Sequence, residues 1–311
     1  MTNPLNRLPP RQRGFTLVEA IVVMVVTAIL AGTTVMFIRR PVQSYVDNAA
    51  RADMGDVAEL ALRRMARELH TALPNSIRLS VVGNLALLEF IPTKAGGLYL
   101  AVEDNTAGHP LNFTSESAQD FDIVGPVPAA PYGIAVGDFI VVYNLGSGFQ
   151  DADAYAITSS AGSSNRAVVT SISGTGNERI GIADPNASNK NPFATPVTNG
   201  RVPNTSPDHR FSVATTPVTF ACVSDAAGRG TLTRYWNYGF PPIQINPATV
   251  PNVPSALMGS NVLGCQFSVA AAANQHTGLI GMSISLARPV PGNAALETVT
   301  LAHQIHVNNT P

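Results

Sequence analysis

A single carboxylate lies inside the longest apolar run of this chain. The run extends over 24 residues, from Phe15 to Ile38, and Glu19 is the only ionisable side chain within it. A carboxylate in a membrane-length apolar segment costs roughly 2.5–3.5 kcal/mol on insertion scales. A chain that keeps such a group is expected to provide a partner for it. The pattern therefore predicts that Glu19 has a partner within its apolar surroundings.

The residues before the run distinguish several kinds of apolar segment. Arg7, Arg11 and Arg13 precede it, and Gly14 stands immediately before Phe15. A secretory signal has a short apolar core with a small-residue cleavage site after it, whereas this run is about twice too long. A plain single-pass anchor needs about 20 apolar residues, and this segment satisfies that requirement. A core helix of a soluble domain is rarely apolar on all sides.

The two cysteines, Cys222 and Cys265, both lie in strand-like contexts in the last third of the chain. In an oxidising compartment such a pair usually forms a disulfide, which would add roughly 3–4 kcal/mol in the chain-entropy model. The alternative is two unpaired buried thiols. A metal site is not indicated, because neither cysteine belongs to a Cys-x-x-Cys pair or stands near a histidine pair.

Alternating carboxylates suggest weak calcium candidates. Asp151 and Asp153 follow a Gly-Ser-Gly-Phe-Gln segment and would share one face of an extended chain, and Asp120 and Asp122 repeat the pattern with less support. Calcium requires 6–8 oxygen ligands, and these segments supply few. A solvated acidic turn is the simpler interpretation, so the sequence predicts no metal and no cofactor.

No enzyme signature is present. The sequence contains no Gly-x-Ser-x-Gly elbow, no phosphate-binding glycine loop with lysine and no His-Glu-x-x-His motif. His303 and His306 would point to opposite faces of a strand, and His303 would share the face of Leu301, Ile305 and Val307. We therefore expect His303 to be a half-buried core residue rather than a metal ligand, and we expect no enzymatic activity.

Charge and composition limit the partners. Residues 1–14 hold three arginines and no acidic residue, so a chain without them would carry 16 basic and 20 acidic residues. That balance gives no support to a nucleic-acid partner, which requires a basic surface. Glycine and proline together number 49. This content favours a β-rich, loop-rich fold over a helical bundle.

Periodicity divides the chain into a long helix and a β-rich part. A helix is predicted over residues 15–75, with a kink or break before Pro41. Beyond the apolar half, one side carries an apolar stripe, and three opposite-charge pairs stand at i,i+4. The stripe comprises Met54, Val57, Ala61, Met65, Leu69 and Leu73, and the pairs are Asp47–Arg51, Glu59–Arg63 and Arg64–Glu68.

Residues 76–311 have short apolar segments separated by Gly, Pro and Asn, which predicts two β subdomains divided near residues 184–209.

The order Arg11-Gln-Arg-Gly-Phe-Thr-Leu-Val-Glu19 resembles the processing site of type IV prepilins and type II secretion pseudopilins. The resemblance implies that a prepilin peptidase cuts between Gly14 and Phe15. It implies methylation of the new Phe15 amino group and pairing of Glu19 with the Phe15 ammonium of a neighbouring subunit. It also implies a cytoplasmic leader over residues 1–14, a span over residues 15–38 in inner-membrane lipid, and a domain outside that membrane.

A narrower resemblance covers the N-terminal quarter and scattered C-terminal pieces. The segments Phe37–Asp47, Ala61–Arg67, Ala72–Ser76, Leu232–Trp236 and His303–Pro311 are similar to those of O-type minor pilins of mannose-sensitive haemagglutinin (MSHA) pili. The implied fold is α+β, a long helix packed on an antiparallel β-rich domain. The implied function is that of a minor pilin that joins or primes a filament with other pilin subunits and inner-membrane assembly machinery. A minor pseudopilin and a membrane-tethered binding or adhesion domain that never polymerises are the alternatives.

Overall fold

The computed structural model describes residues 14–128, 130–149, 151–156, 164–176, 178–185, 189–195, 204–271, 277–290 and 295–311, without the side chains of residues 40 and 271. The leader arginines lie outside the described residues. The chain forms two compact units, Met1–Asp53 and Met54–Pro311. A long N-terminal helix is followed by antiparallel β structure, so the predicted α+β class is confirmed.

The helix α1 extends over Leu17–Leu69 without interruption at Pro41, where the sequence predicted a kink or break. Proline lacks the amide hydrogen that would bond to the carbonyl of Phe37, four residues earlier. Long helical segments stand on both sides of this position, and a helix that is already formed extends at little cost. The loss of one bond therefore does not end the helix.

The helix ends at Leu69, several residues before the predicted end, because the backbone after it forms hydrogen bonds with the β-rich part. The amide of Leu73 donates to the carbonyl of Ile91 at 2.7 Å, and the amide of Thr93 donates to the carbonyl of Thr71 at 2.8 Å. These backbone groups would otherwise extend the helix. They instead form a bridge to the connection after a strand.

In the part of the chain that the structure describes, thirteen strands follow, and they form two sheets. The first is an open, antiparallel, seven-stranded sheet in the order β1-β2-β9-β10-β11-β12-β13, and the second is a closed antiparallel barrel in the order β3-β4-β7-β6-β5-β8. The strands are β1 (Arg78–Val82), β2 (Leu85–Phe90), β3 (Thr93–Tyr99), β4 (Asp120–Val124), β5 (Phe139–Val141), β6 (Arg166–Ser173), β7 (Arg179–Ala183), β8 (Arg210–Ala214), β9 (Val218–Val223), β10 (Gly230–Trp236), β11 (Ser255–Ala271), β12 (Thr277–Pro289) and β13 (Leu296–Asn308). Short 3₁₀ helices cover Val102–Asp104 and Pro247–Thr249.

The barrel is an insertion into the sheet, which differs from the predicted division. The chain leaves the sheet after β2 and returns at β9, so the two transitions lie near residues 91–93 and 214–218. Residues 184–209 lie between β7 and β8, two strands of the same barrel. The prolines of that segment indicated a boundary, but the backbone pairing of β8 with β3 and β5 closes the barrel after it.

The second half of α1 covers one face of the seven-stranded sheet. Its buried side chains pack against the alternating apolar residues of the strands, including the predicted alternation of β12. The buried stripe is Met54, Ala58, Ala61, Leu62, Met65 and Leu69, with Val57 partly buried beside it. The stripe contains the predicted Met54, Ala61, Met65 and Leu69. It also contains Ala58 and Leu62, which were not predicted, whereas Leu73 belongs to a different cluster.

Ion pairs lie along this half of the helix, and Glu68 also links it to the sheet. Arg63 contacts Glu59, and Arg64 contacts Glu68 at 3.1 Å, as the i,i+4 spacing predicted. Glu68 also accepts a hydrogen bond from Nε of Arg234 in β10 at 2.7 Å. The guanidinium of Arg234 in turn lies over the ring of Trp236. This chain of contacts fixes the end of the helix against the middle of the sheet.

The opposite face of β2 carries a fully buried carboxylate. Glu89 is 0% exposed and bonds to Arg78 of β1, and its Oε2 accepts from Tyr238 at 3.1 Å and from Thr219 at 3.2 Å. Burial is the main cause that raises the pKa of Tyr238 well above its usual range. The phenol therefore stays protonated and keeps donating to the carboxylate. A buried charge with this many partners fits the rule that buried ions are paired and hydrogen-bonded.

The buried stripe predicts that two nearby leucines of α1 contribute very differently to the free energy of unfolding. Leu62 is 0% exposed, whereas Leu60 is 69% exposed. Leu62→Ala should lower the free energy of unfolding by about 2–5 kcal/mol because it leaves a cavity between helix and sheet. Leu60→Ala, the matched control, should change it by less than about 0.5 kcal/mol.

Denaturant unfolding of the detergent-solubilised full chain measures both values. Equal effects for the two variants would contradict the assigned helix face.

Candidate functional site

The predicted processing site lies directly before the first turn of α1. Gly14 and Phe15 precede the helix, and the side chain of Phe15 is 74% exposed. Thr16 is the residue before the first helical position, and its Oγ1 accepts a hydrogen bond from the amide of Glu19 at 3.3 Å. The carbonyl of Thr16 accepts the helical bond from the amide of Ala20 at 3.1 Å. Thr16 is therefore the N-cap of the helix.

Glu19 therefore has a second role, as the third residue of a capped helix, and the sequence reasoning missed this role. The signal was present, because a threonine followed three residues later by glutamate is the sequence signature of a capping box. Glu19 lies in the first turn and is exposed. There the helix dipole favours a negative charge by about 0.3–1 kcal/mol at an exposed site. The cap uses the backbone amide of Glu19, so its carboxylate oxygens remain available to another chain.

The first half of α1 exposes its apolar side chains on all sides. Large apolar residues from Phe15 to Ile38 are about half exposed or more, and Phe37 reaches 81%. By length and composition the helix is able to cross a membrane. A core helix of a soluble domain would meet the same criteria only with most of this surface buried. The exposure therefore favours lipid or other apolar helices as the surroundings of residues 15–38.

The hydroxyl groups in this apolar half are satisfied within the helix. Thr27 donates to the carbonyl of Val23 at 2.7 Å, and Thr33 and Thr34 donate to the carbonyl of Leu30 at 3.0 and 2.7 Å. An unpaired hydroxyl in an apolar medium costs several kcal/mol, whereas a bond to the preceding turn removes most of that cost. The three threonines are thus compatible with lipid and with a packed bundle of helices.

Comparison with known families identifies the motif. Residues 9–35 match the family described as the prokaryotic N-terminal methylation motif. The chain carries a prepilin-type motif. The match includes Gly14, Phe15 and Glu19, and it supports a type IV pilin or pseudopilin with an apolar N-terminal anchor. No curated protein and no solved structure matches the chain.

The prepilin motif also indicates what kind of protein this chain is and what kinds of partner it has. The motif suggests a structural protein, and it implies a prepilin peptidase and pilin-type subunits as partners in general. The motif covers 27 residues of 311, so it describes the processing site and the apolar half of the helix rather than the β-rich part.

The two cysteines form the disulfide that the sequence predicted, Cys222–Cys265. Cys222 lies in β9 and Cys265 in β11, the strands on either side of β10. Strand β10 begins at Gly230, and β11 continues past that point toward Ala271. The disulfide therefore joins β9 to β11, with Cys222 opposite Leu232 of β10 and with Cys265 past Val262, the partner of Gly230 at the start of β10.

The weak calcium candidates are held by other contacts. Oδ1 of Asp153 accepts from the amide of Tyr155 at 3.0 Å. Asp120 bonds to His109, and Asp122 bonds to Arg179 at 2.8 Å, a contact that holds the pKa of Asp122 below its usual value. Across the residues that the structure describes, no three His, Cys, Asp or Glu side chains are placed to hold a metal ion.

The histidines of β13 lie on opposite faces, as the strand pattern required. His303 is half-buried on the helix-covered face, and its Nε2 lies 3.6 Å from Oε2 of Glu59. His306 is exposed on the other face. The two rings therefore do not converge on one ligand position, and His303 instead links the last strand to α1.

The disulfide yields a prediction about stability. It closes a sequence separation of 43 residues, which corresponds to about 4 kcal/mol in the chain-entropy model. Cys222→Ala combined with Cys265→Ala should lower the free energy of unfolding of the full chain by roughly that amount. Denaturant unfolding of both proteins without reductant measures the difference. The assignment would be wrong if both thiols of the parent, folded in the periplasm, reacted freely with an alkylating reagent.

Proposed function

We propose that this chain is a minor pilin, a structural subunit that joins or primes a type IV pilus. The observation that carries the proposal is the prepilin-type motif at the start of a helix whose apolar half is exposed over its whole circumference. The prepilin peptidase removes residues 1–14, and Phe15 becomes the methylated N-terminus. The activity is assembly, and no catalytic role is proposed.

The geometry supports a two-stage mechanism. Before assembly, residues 15–38 occupy the inner membrane and the β-rich part lies on the periplasmic side. During assembly the same apolar surface moves from lipid to the helices of other pilin-type subunits in the filament at the cell surface. Both surroundings are apolar, so burial alone gives little preference for either. Close packing and an ion pair between Glu19 and the Phe15 ammonium of a neighbour set the register.

The β-rich part favours a minor subunit over a repeating one. A complete six-stranded barrel is inserted between β2 and β9 of the sheet, and its bulk suits a tip or priming position. The finer assignment, to O-type minor pilins of MSHA pili, depends on the resembling segments alone. A minor pseudopilin of a type II secretion system shares the motif and is the second candidate. A tethered binding domain that never polymerises is the third.

Processing between Gly14 and Phe15 is the first expected outcome. Protein isolated from its native host should lack residues 1–14 and carry a methyl group on the Phe15 amine. Intact-mass measurement and N-terminal sequencing show both changes. An intact leader in a host with an active prepilin peptidase would contradict the proposal.

Glu19 is expected to be needed for assembly and not for membrane insertion. Glu19→Gln and Glu19→Ala remove the charge that pairs with the Phe15 ammonium, and they also remove the cost of placing a carboxylate in lipid. Both variants should be processed and retained in the membrane, with strongly reduced incorporation into filaments. Quantitative immunoblots of sheared filaments and of membrane fractions measure the two populations.

Thr16→Val is the matched control, because it removes the N-cap and keeps the charge of Glu19. It should destabilise the first turn by about 1 kcal/mol and leave incorporation near the parental level. If Thr16→Val reduces incorporation as much as Glu19→Gln, the cap rather than the charge is required. Parental incorporation of both Glu19 variants would favour the tethered-domain alternative.

A further inference from the structure

The last strand of the sheet is a long open edge. All thirteen residues of β13 pair with β12 without a bulge, from Leu296 opposite Pro289 to Asn308 opposite Thr277. No other strand of the described chain pairs with it. From Thr298 to Val307, no backbone hydrogen bond joins its outer edge to any other part that the structure describes. A regular row of N–H and C=O groups therefore faces outward.

This edge lacks the features that usually protect an exposed strand. Natural edge strands are kept short, carry lysines or prolines, or are interrupted by bulges. The segment from Thr298 to Val307 contains no Lys, Arg, Asp, Glu or Pro. The opposite edge strand, β1, has only five residues. The contrast with β1 indicates that the backbone groups along the edge of β13 are left open for pairing with another strand.

The core beside this edge is only partly covered. Ile305 and Val307 are buried beneath the helix-covered face, whereas Val299 and Leu301 on that face are half-buried. An added strand places every second side chain on this face. Apolar side chains at those positions would cover Val299 and Leu301. The edge thus offers backbone hydrogen bonds together with an apolar margin, which is the combination that strand addition uses.

We propose that β13 accepts an extended segment of another pilin-type subunit, which extends the sheet by an eighth strand. The inference rests on the proposed function, that the chain assembles with such subunits. Antiparallel pairing of β13 with β13 of a second copy would require a two-fold axis normal to the sheet. With that axis, the helical residues 54–69 of the two copies would run in opposite directions. Subunits that enter a filament from the same membrane are expected to have their helices running in the same direction. This argues against antiparallel β13–β13 pairing, and the occupant that we propose is an extended segment of a different subunit.

Site-specific photo-crosslinking in assembled material tests the proposal. A benzophenone amino acid is placed at Thr300 or Ala302 on the edge strand, or at Gln266 as the matched control. Gln266 is exposed in β11 and lies two strands away from Ala302, through Ser283. Ile29, in the apolar half of α1 and 60% exposed, reports assembly through the helix.

Thr300 and Ala302 should each crosslink to another subunit, at least several-fold more than Gln266. Because a paired strand runs residue by residue along its neighbour, the linked position should move by two residues between the two sites. Crosslinks from Ile29 without crosslinks from β13 would overturn this inference and leave the proposed function standing. No crosslink from Ile29 would overturn both. A linked peptide from β13 of a second copy would overturn the choice of a different subunit.

A charge variant provides an independent readout. Thr300→Lys with Ala302→Lys places two charges beside the open edge, and Gln266→Lys with Ser268→Lys places the same charges on exposed positions of β11. Circular dichroism and the intact disulfide verify that both variants are folded. The edge variant should enter assembled material several-fold less than the β11 variant. Equal incorporation of the two variants would overturn docking at the edge.

Discussion

The burial of the second half of α1 against the seven-stranded sheet is the interaction on which the β-rich part depends. A sheet with an uncovered apolar face is not stable in water, and strands β2, β9, β10, β11, β12 and β13 present buried apolar residues on the covered side. The helix supplies a stripe of six buried residues for that face. Helix α1 is apolar on all sides before Pro41, so its two halves lie in two different surroundings. Its first half requires lipid or other helices, and its second half requires the sheet.

The barrel is fixed to the sheet by two reciprocal arginine contacts. Arg78 of the sheet lies over the ring of Tyr155, which belongs to the barrel side, with 3.4 Å between the guanidinium carbon and the ring centroid. Arg166 of the barrel lies over the ring of Phe240, in the connection after β10, at 3.7 Å. Each arginine is largely buried, and burial lowers the pKa of Arg166 to about 10. Stacked guanidinium groups of this kind hold their position more rigidly than surface ion pairs.

These contacts explain how an insertion of this size is tolerated. The chain enters and leaves the barrel at adjacent strands of the sheet, β2 and β9, so the insertion leaves their pairing intact. Glu89 lies at this junction and binds Arg78, Thr219 and Tyr238, which come from three separate segments. Removing one partner would leave a buried charge incompletely paired, at a cost of several kcal/mol. The barrel is thus a fixed part of the subunit rather than a tethered appendage.

Most of the candidate site could be predicted from sequence because its signals are local. The carboxylate at Glu19, the proposed cut between Gly14 and Phe15 and the length of the apolar run need only neighbouring residues to be recognised. The stripe from Met54 to Leu69 follows from the helical period, and the pairing of two cysteines had few alternatives. The helix end at Leu69 could not be predicted, because Thr71 and Leu73 bond to Ile91 and Thr93, about 20 residues away.

The sequence by itself determined the prepilin-type anchor, the α+β class and the chemistry of the two halves of the helix. Only the tertiary structure decided that the prolines of residues 184–209 lie within the connection between two barrel strands rather than at a domain boundary. It also decided that β13 is an edge and that Arg78 and Arg166 join the two β parts. Strand order and the partners of buried charges depend on contacts between distant residues. Composition and spacing along one chain do not specify those contacts, because many pairings satisfy the same local pattern.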